Sequence, residues 1–283
     1  MSLDLLFPNF ETLIRAPEDV ARLNEAILGL AVQGKLVPQD PADEPASELL
    51  KRIRAEKRRL VKEGKLEEDK ALPSVKQDEM SFRLPQGWVW VRLGSTVLAL
   101  QTGPFGSMLH KSDYVERGIP VVNPANIQDG RIRVLPEMII SESTRDRLRR
   151  YVLEQGDIVM GRRGEMGRCA LVTTTEAGWL CGSGSFVLKT SADLDQEFLI
   201  KVIRSPEARG YLTGGSVGST MNNLNHRILN NLVIGLPPVA EHRRIVAKVD
   251  QLMRQCDALA AGLARAEGQR RALTAAALHG AFG

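Results

Sequence analysis

Arginine and asparagine in glycine-rich stretches are the residues of this chain best suited to chemistry with a partner. GRRGEMGR (161–168) sets Arg162, Arg163 and Arg168 close together between glycines. Glycine lets a backbone come near a partner, and the planar fork of arginine suits phosphates and the acceptor pair of guanine. GPFGSMLHKSDY (103–114) adds Ser107, His110 and Lys111. GGSVGSTMNNLNHR (214–227) adds Ser219, Thr220, Asn222 and Asn223. Hydroxyls suit phosphate, and an asparagine amide can pair with adenine. IQDGRIRV (127–134) puts Arg131 and Arg133 on one face of a strand. Each stretch alone reads equally well as a solvated hairpin tip or a capped loop. Together, with no catalytic centre among them, they favour DNA binding.

The same residues do not assemble an enzyme. VVNPAN (121–126) is similar to the Asn-Pro-Pro-aromatic signature of amino-group DNA methyltransferases, but Ala125 and Asn126 stand where proline and the aromatic belong. Nothing there can stack on a flipped base, so a strand-to-loop turn is the better reading. GPFGS has no strand–GxGxxG–helix unit around it, and GRRGEMGR lacks the Gly-Lys-Ser/Thr of a phosphate loop. His110, His226, His242 and His279 lie in four separate regions without ligand spacing. Asp113, Glu116, Asp157 and Glu165 are scattered, whereas a magnesium-dependent nuclease needs clustered carboxylates. No metal, no catalytic residue and no cofactor is expected in this chain.

Bulk composition sets wide bounds. The 283 residues suffice for one or two domains with real cores, and 43% hydrophobic with 25% charged residues is ordinary for a globular protein. A net charge of +4 mildly favours an acidic partner. Cys169, Cys181 and Cys256 form no CxxC pair, which argues against a disulfide scaffold or zinc site. No long apolar run suggests a membrane span, and MSLDLLFPNF lacks the form of a secretory signal, so a cytoplasmic location is expected.

The elements that must position these residues fall into three stretches. Residues 1–84 are an N-terminal helical segment and linker. Val20, Leu23, Ile27 and Leu30 keep helical spacing, and Gly34 is placed to stop the helix. Pro45 suits a first helical turn; a charged helix then runs over 48–65, and 70–80 is polar and linker-like. At LPQGWVWVRLG (84–94) alternation signals a strand. GIPVV (118–122), GDIVMGRRG (156–164), CALVT (169–173) and NLVIGL (231–236) continue the β character, interrupted by helical patterns near 141–151 and 195–213. Residues 85–238 therefore read as a mixed α/β domain within an α+β chain.

Residues 239–283 form the third stretch, a long helix entered through LPPVAEHRRIV (236–246). Ile245, Val249, Leu252, Cys256, Leu259, Leu263 and Ala266 step by four and three, a seam that asks for another helix. A helix over 240–280 would span roughly 60 Å. Arg270 breaks the seam. Residues 26–36 and 272–282 also echo one another, with Ala26, Ala31 and Gly34 matched by Ala272, Ala277 and Gly280. The echo suggests a repeated helix–domain–helix design, in which the far end of the rod meets the N-terminal helix of a partner or of this chain.

Several long strings resemble the specificity subunit of type I restriction–modification systems. They are LVPQDPADEPASELLKRIRAEK (36–57), LPQGWVWVRLG (84–94), GPFGS with DYVERGIPVV (113–122), GDIVMGRRGEMG (156–167) and LPPVAEHRRIVAKVDQLMRQCDAL (236–259). The family usually has glutamine where His242 stands. The resemblance implies that 85–238 is a target recognition domain contacting one half of a split double-stranded DNA target. It implies that 239–283 is a conserved coiled-coil spacer and that the chain is not itself an enzyme. It further implies docking of two methyltransferase subunits that modify adenine with S-adenosylmethionine, and leaves room for a motor–nuclease (restriction) subunit. A typical member has two recognition domains and two helical regions. This chain has one of each plus an N-terminal helical piece, so it reads as a half-length subunit or a truncated copy. A homodimer through 240–280 would restore the two-fold arrangement. A coiled-coil scaffold or antitoxin-like protein that binds no DNA is the main competing expectation, and a methyltransferase fragment the other.

Overall fold

The computed structural model describes residues 17–104, 106–216 and 224–282. α1 (Pro17–Val32) turns Val20, Leu23, Ile27 and Ala31 inward, all at or below 6% exposure. Gly34 ends the path of this helix: its φ is +67°, and a Cβ there would meet Pro85 Cγ at 2.4 Å. The Lys35 amide then reaches back to the Leu30 carbonyl at 2.9 Å, the bonding of a Schellman turn. α2 (Ala46–Lys62) buries Ala46, Leu49, Leu50 and Ile53 and leaves its remaining faces charged.

The region after α2 is strapped down rather than free. Arg92, 6% exposed, ends β1 (Val89–Arg92). Its guanidinium donates to the carbonyls of Pro73 (2.8 Å), Ser74 (3.2 Å) and Asn231 (3.1 Å), and to Glu79 Oε2 at 2.8 Å. The polar 70–80 stretch therefore lies on the domain, held by one buried arginine that local composition could not reveal.

The strands follow in order: β2 (Ala99–Thr102), β3 (Tyr114–Val122), β4 (Ile127–Gln128), β5 (Arg131–Ile132) and β6 (Ile139–Ile140). After α3 (Glu142–Arg147) come β7 (Ile158–Gly161), β8 (Cys169–Leu171), β9 (Leu180–Cys181) and β10 (Ser185–Lys189). An antiparallel sheet has the order β2-β10-β7-β8, and a second has the order β6-β3-β9 with β3 and β9 parallel. β4 and β5 form a hairpin whose Asp129-Gly130 tip has φ of 52° and 74°, the left-handed pair that such tight turns require.

α4 (Gln196–Arg204) and α5 (Pro206–Ser216) occupy the expected 195–213 helix, broken at Ser205, whose hydroxyl accepts the Ala208 amide. α6 (His226–Asn231) leads into β11 (Val233–Leu236), which pairs antiparallel with β1, Val89 opposite Leu236. The domain's first and last strands thus lie side by side, and the chain leaves beside the point where it entered.

α7 (Val239–Phe282) departs from there. The expected intermolecular seam needs correction over its first half. Ile245, Val249, Leu252 and Cys256 are 0–2% exposed within this one chain, packed with α1 and α4. α1 lies antiparallel to α7: Gln39 bridges the Gly34 carbonyl and Glu241, while Ala21 and Asn24 line a cleft with Met253. The heptad pattern required a covering helix, and α1 satisfies it in cis. Leu259 and Leu263 are half-buried; Ala266 and the described side chains after Gly268 are exposed. Within this chain it is the near end of the rod that meets the N-terminal helix. α1, α2, the β2-β10-β7-β8 sheet, α4 and α7 share one hydrophobic core. Among the described residues no helix is long and apolar enough to cross a membrane.

Candidate nucleic-acid interface

Five stretches from distant parts of the sequence meet at one end of the two sheets. They are the loop after β2, the Asn123–Asn126 turn after β3, the 162–168 loop between β7 and β8, the Gly182–Gly184 connector, and the entry to α6. Their backbones approach closely because of glycine: a Cβ at Gly103 would sit 2.0 Å from the Gly182 carbonyl oxygen. The Gly103 amide donates to the Ser185 carbonyl at 3.2 Å, and the Arg162 amide to that of Gly184 at 2.9 Å. The Leu224 amide completes the set by donating to the Arg162 carbonyl at 3.0 Å.

Asn123 and Asn126 organise the centre. Pro124 opens a short 3-10 turn. The Asn126 side chain accepts from the Asn123 amide at 2.9 Å and donates to the Arg133 carbonyl at 2.9 Å. Asn123 Oδ1 accepts from the Gly184 amide at 3.3 Å, and its Nδ2 faces Met138 Sδ at 3.6 Å. VVNPAN is therefore a structural knot, and its amides are used within the fold. The connector escaped the sequence reading altogether, although CGSGS (181–185), two glycines between two strands, carried the signal. Exposed Ser183 sits on it.

The expected contact residues separate by environment. Ser107, His110 and Lys111 are exposed. Their loop is pinned from behind: Arg147 donates to the Met108 carbonyl at 2.7 Å and to Asp113 at 2.9 Å. The Asp113 carboxyl is held below its usual range by the His110 amide and then by Arg147. Arg131 and Arg133 are exposed on the β4–β5 hairpin, which Asn126 ties to the cluster. β5 ends at Ile132, so Arg133 lies just beyond the strand.

The three arginines of the glycine-bounded loop do not act alike. Arg163 is exposed beside Gly164. Arg168 folds back, donating to the Pro124 carbonyl at 3.3 Å and to Glu165 at 3.2 Å. Arg162 turns inward over the Phe186 ring, 5.1 Å from its centroid. Ser219, Thr220, Asn222 and Asn223 lie outside the described residues; the neighbouring Asn225 caps α6 by accepting the Ile228 amide at 3.0 Å.

No acidic cluster appears among the described residues that could hold a metal ion. Asp157 is buried on Lys189 at 2.8 Å and accepts the Glu154 amide at 2.8 Å, while Glu165 pairs with Arg168. The Cys169 and Cys181 thiols are fully buried, which pushes each up to about 12, far from a reactive thiolate at neutral pH.

The sequence profile of the type I restriction modification DNA specificity domain matches residues 85–265, which takes in both sheets, the loop cluster and the start of the rod. The chain belongs to this family. Among curated members, the type I restriction enzyme EcoEI specificity subunit of Escherichia coli is 31% identical over 280 residues. That match spans 95% of this chain and 47% of the relative. The EcoAI specificity subunit of the same species is 33% identical over 260 residues, 89% of this chain and 43% of the relative. The specificity-domain chain thus spans about half the length of the curated relatives it matches. Solved structures give the fold likeness. A chain from a type I R-M system aligns with a TM-score of 0.53 at 22% identity, over 91% of this chain and 56% of that one. The HsdS subunit from Thermoanaerobacter tengcongensis gives 0.50 at 23% identity, over 94% and 57%.

Proposed function

We propose that this specificity-domain chain reads one half of a split double-stranded DNA target. The observation that carries the proposal is the convergence of five loops on one end of the sheets, presenting Arg163 and Ser183 to solvent on a braced backbone, with Ser107, His110 and Lys111 exposed further along the first of these loops. Family membership supports the same reading. Rigid support with exposed donors is what groove reading requires, since phosphate contacts position a protein and base contacts specify the sequence.

The chain itself supplies recognition and no catalysis in this proposal. Methyltransferase subunits dock on its helices and bring S-adenosylmethionine, and a restriction subunit joins the assembly where one is present. Two copies associate through the part of α7 that the chain covers only partly or not at all, from about Leu259 onward, placing two recognition domains about a two-fold axis. The exposed distal helix motivates this dimer.

The test is duplex binding across a salt series, followed by mapping of methylated adenines in cells expressing this chain with a methyltransferase partner. A steep salt dependence and a two-part palindromic methylation site are expected. Salt-independent absence of duplex binding would favour the coiled-coil scaffold instead. Sedimentation as a monomer at tens of micromolar would remove the dimer.

A further inference from the structure

Arg162 has the wrong surroundings for a residue that reaches into a groove. Its side chain lies over Phe186, itself 0% exposed, and on Phe186 also leans the ring of His226 at 5.5 Å between centroids. Nε points to the Leu224 carbonyl and Nη1 to the Ser183 carbonyl, each at 3.4 Å. Its own amide and carbonyl bind Gly184 and Leu224. No carboxylate pairs with it among these contacts, in contrast to Arg168 with Glu165. Each side-chain bond is long and individually weak. Their combination is specific, because only a planar, multi-donor cation can stack on a ring and address two carbonyls at its edge.

We propose that Arg162 is a positioning residue for sequence recognition: it clamps the 162–168 loop, the Gly182–Gly184 connector and the entry to α6 in one fixed arrangement on the Phe186 ring. Exposed neighbours such as Arg163 and Ser183 then meet the DNA in a set geometry. These three stretches come from separate strand and helix ends, so their relative placement depends on what joins them. Burial, followed by the neighbouring charge of Arg163, pulls the Arg162 guanidinium below its ordinary value, consistent with an inward-facing cation. The proposal rests on the loop cluster being the DNA interface.

The experiment uses the full chain as wild type and as R162A, R162K, F186L and R163A. Each is put through selection from a randomised duplex pool with sequencing, and a salt titration on an unselected random duplex. Urea unfolding identifies any variant that fails to fold. For R162A, R162K and F186L, enrichment of the half-site is expected to fall about tenfold or more, spread over several positions, with the salt slope unchanged. F186L is the decisive variant, because it removes the platform and touches no DNA. Two results would overturn the proposal: R162K selecting like wild type, or R162A losing about 0.9 of salt slope with its sequence pattern intact, which is the mark of a phosphate contact. Relaxation of one position in R162A with F186L normal would overturn it too, and make Arg162 a direct reader. Should R162A not fold, R162K and F186L decide alone. A wild-type chain that binds duplex at no salt concentration removes the interface itself, an outcome distinct from all of these.

Discussion

His242 should make this chain acid-sensitive, and His242→Gln should remove that sensitivity. The imidazole is 0% exposed and stacks on Phe198, 4.3 Å between centroids and 6° from parallel. Neither ring nitrogen has a hydrogen bond of good geometry, although the Pro237 carbonyl slightly favours the protonated form. Burial lowers its pKa from 6.5 to about 3. The folded value is therefore depressed. In the window between these values the unfolded chain takes up a proton that the folded chain refuses. Stability is fully present above the unfolded value and falls with pH by up to ~1.4 kcal/mol per unit through the window. Between pH 7 and pH 5 the loss should be about 2 kcal/mol. Glu241 works the other way, since burial raises its carboxyl. It is present in both proteins, so the difference between wild type and H242Q isolates the histidine. Urea unfolding of both at pH 7, 6 and 5 measures that difference. Parallel pH profiles, or an imidazole that titrates near 6.5 by NMR in the folded chain, would refute the reasoning.

Other outcomes follow from the same packing. Leu252→Ala should cost about 3 kcal/mol of folding stability, because Leu252 is 2% exposed within the chain, and Leu273→Ala almost nothing, because Leu273 is 71% exposed. Urea midpoints measured at two protein concentrations check this; an L252A effect seen only as altered concentration dependence would return the near seam to an intermolecular role. Gly34→Ala should cost about 1–3 kcal/mol, from its positive φ and from Pro85, read by the same unfolding curves. Arg92→Ala should release the 70–80 stretch, seen as trypsin cutting after Lys76 well before the domain is digested. Arg163→Ala should weaken duplex binding; a reduced salt slope would assign it to phosphate, and relaxation at one base position to direct readout.

Much of the fold could be read locally. The stripe of α1, the alternation of β1, the break to a long helix after Pro238 and the stop at Gly34 are all short-range patterns, set by side-chain periodicity and backbone sterics. The ordered strings shared with specificity subunits likewise lie along the chain. The roles of particular site residues were less legible. GRRGEMGR promised three outward arginines, and the structure gives one on the surface, one folded onto Glu165 and one on a ring 24 positions away in sequence, a difference in surroundings that charge and spacing do not encode.

The seam on α7 shows the same division most plainly. Ile245, Val249, Leu252 and Cys256 required some apolar surface to cover them, because burying a four-three stripe is the main source of stability for such a helix. That requirement is written in the sequence. Which surface answers it is not, since hydrophobic attraction is non-directional and accepts any complementary face. The antiparallel return of α1, brought alongside by the pairing of β1 with β11, is what gives the near half of the seam to this chain and leaves the far half open.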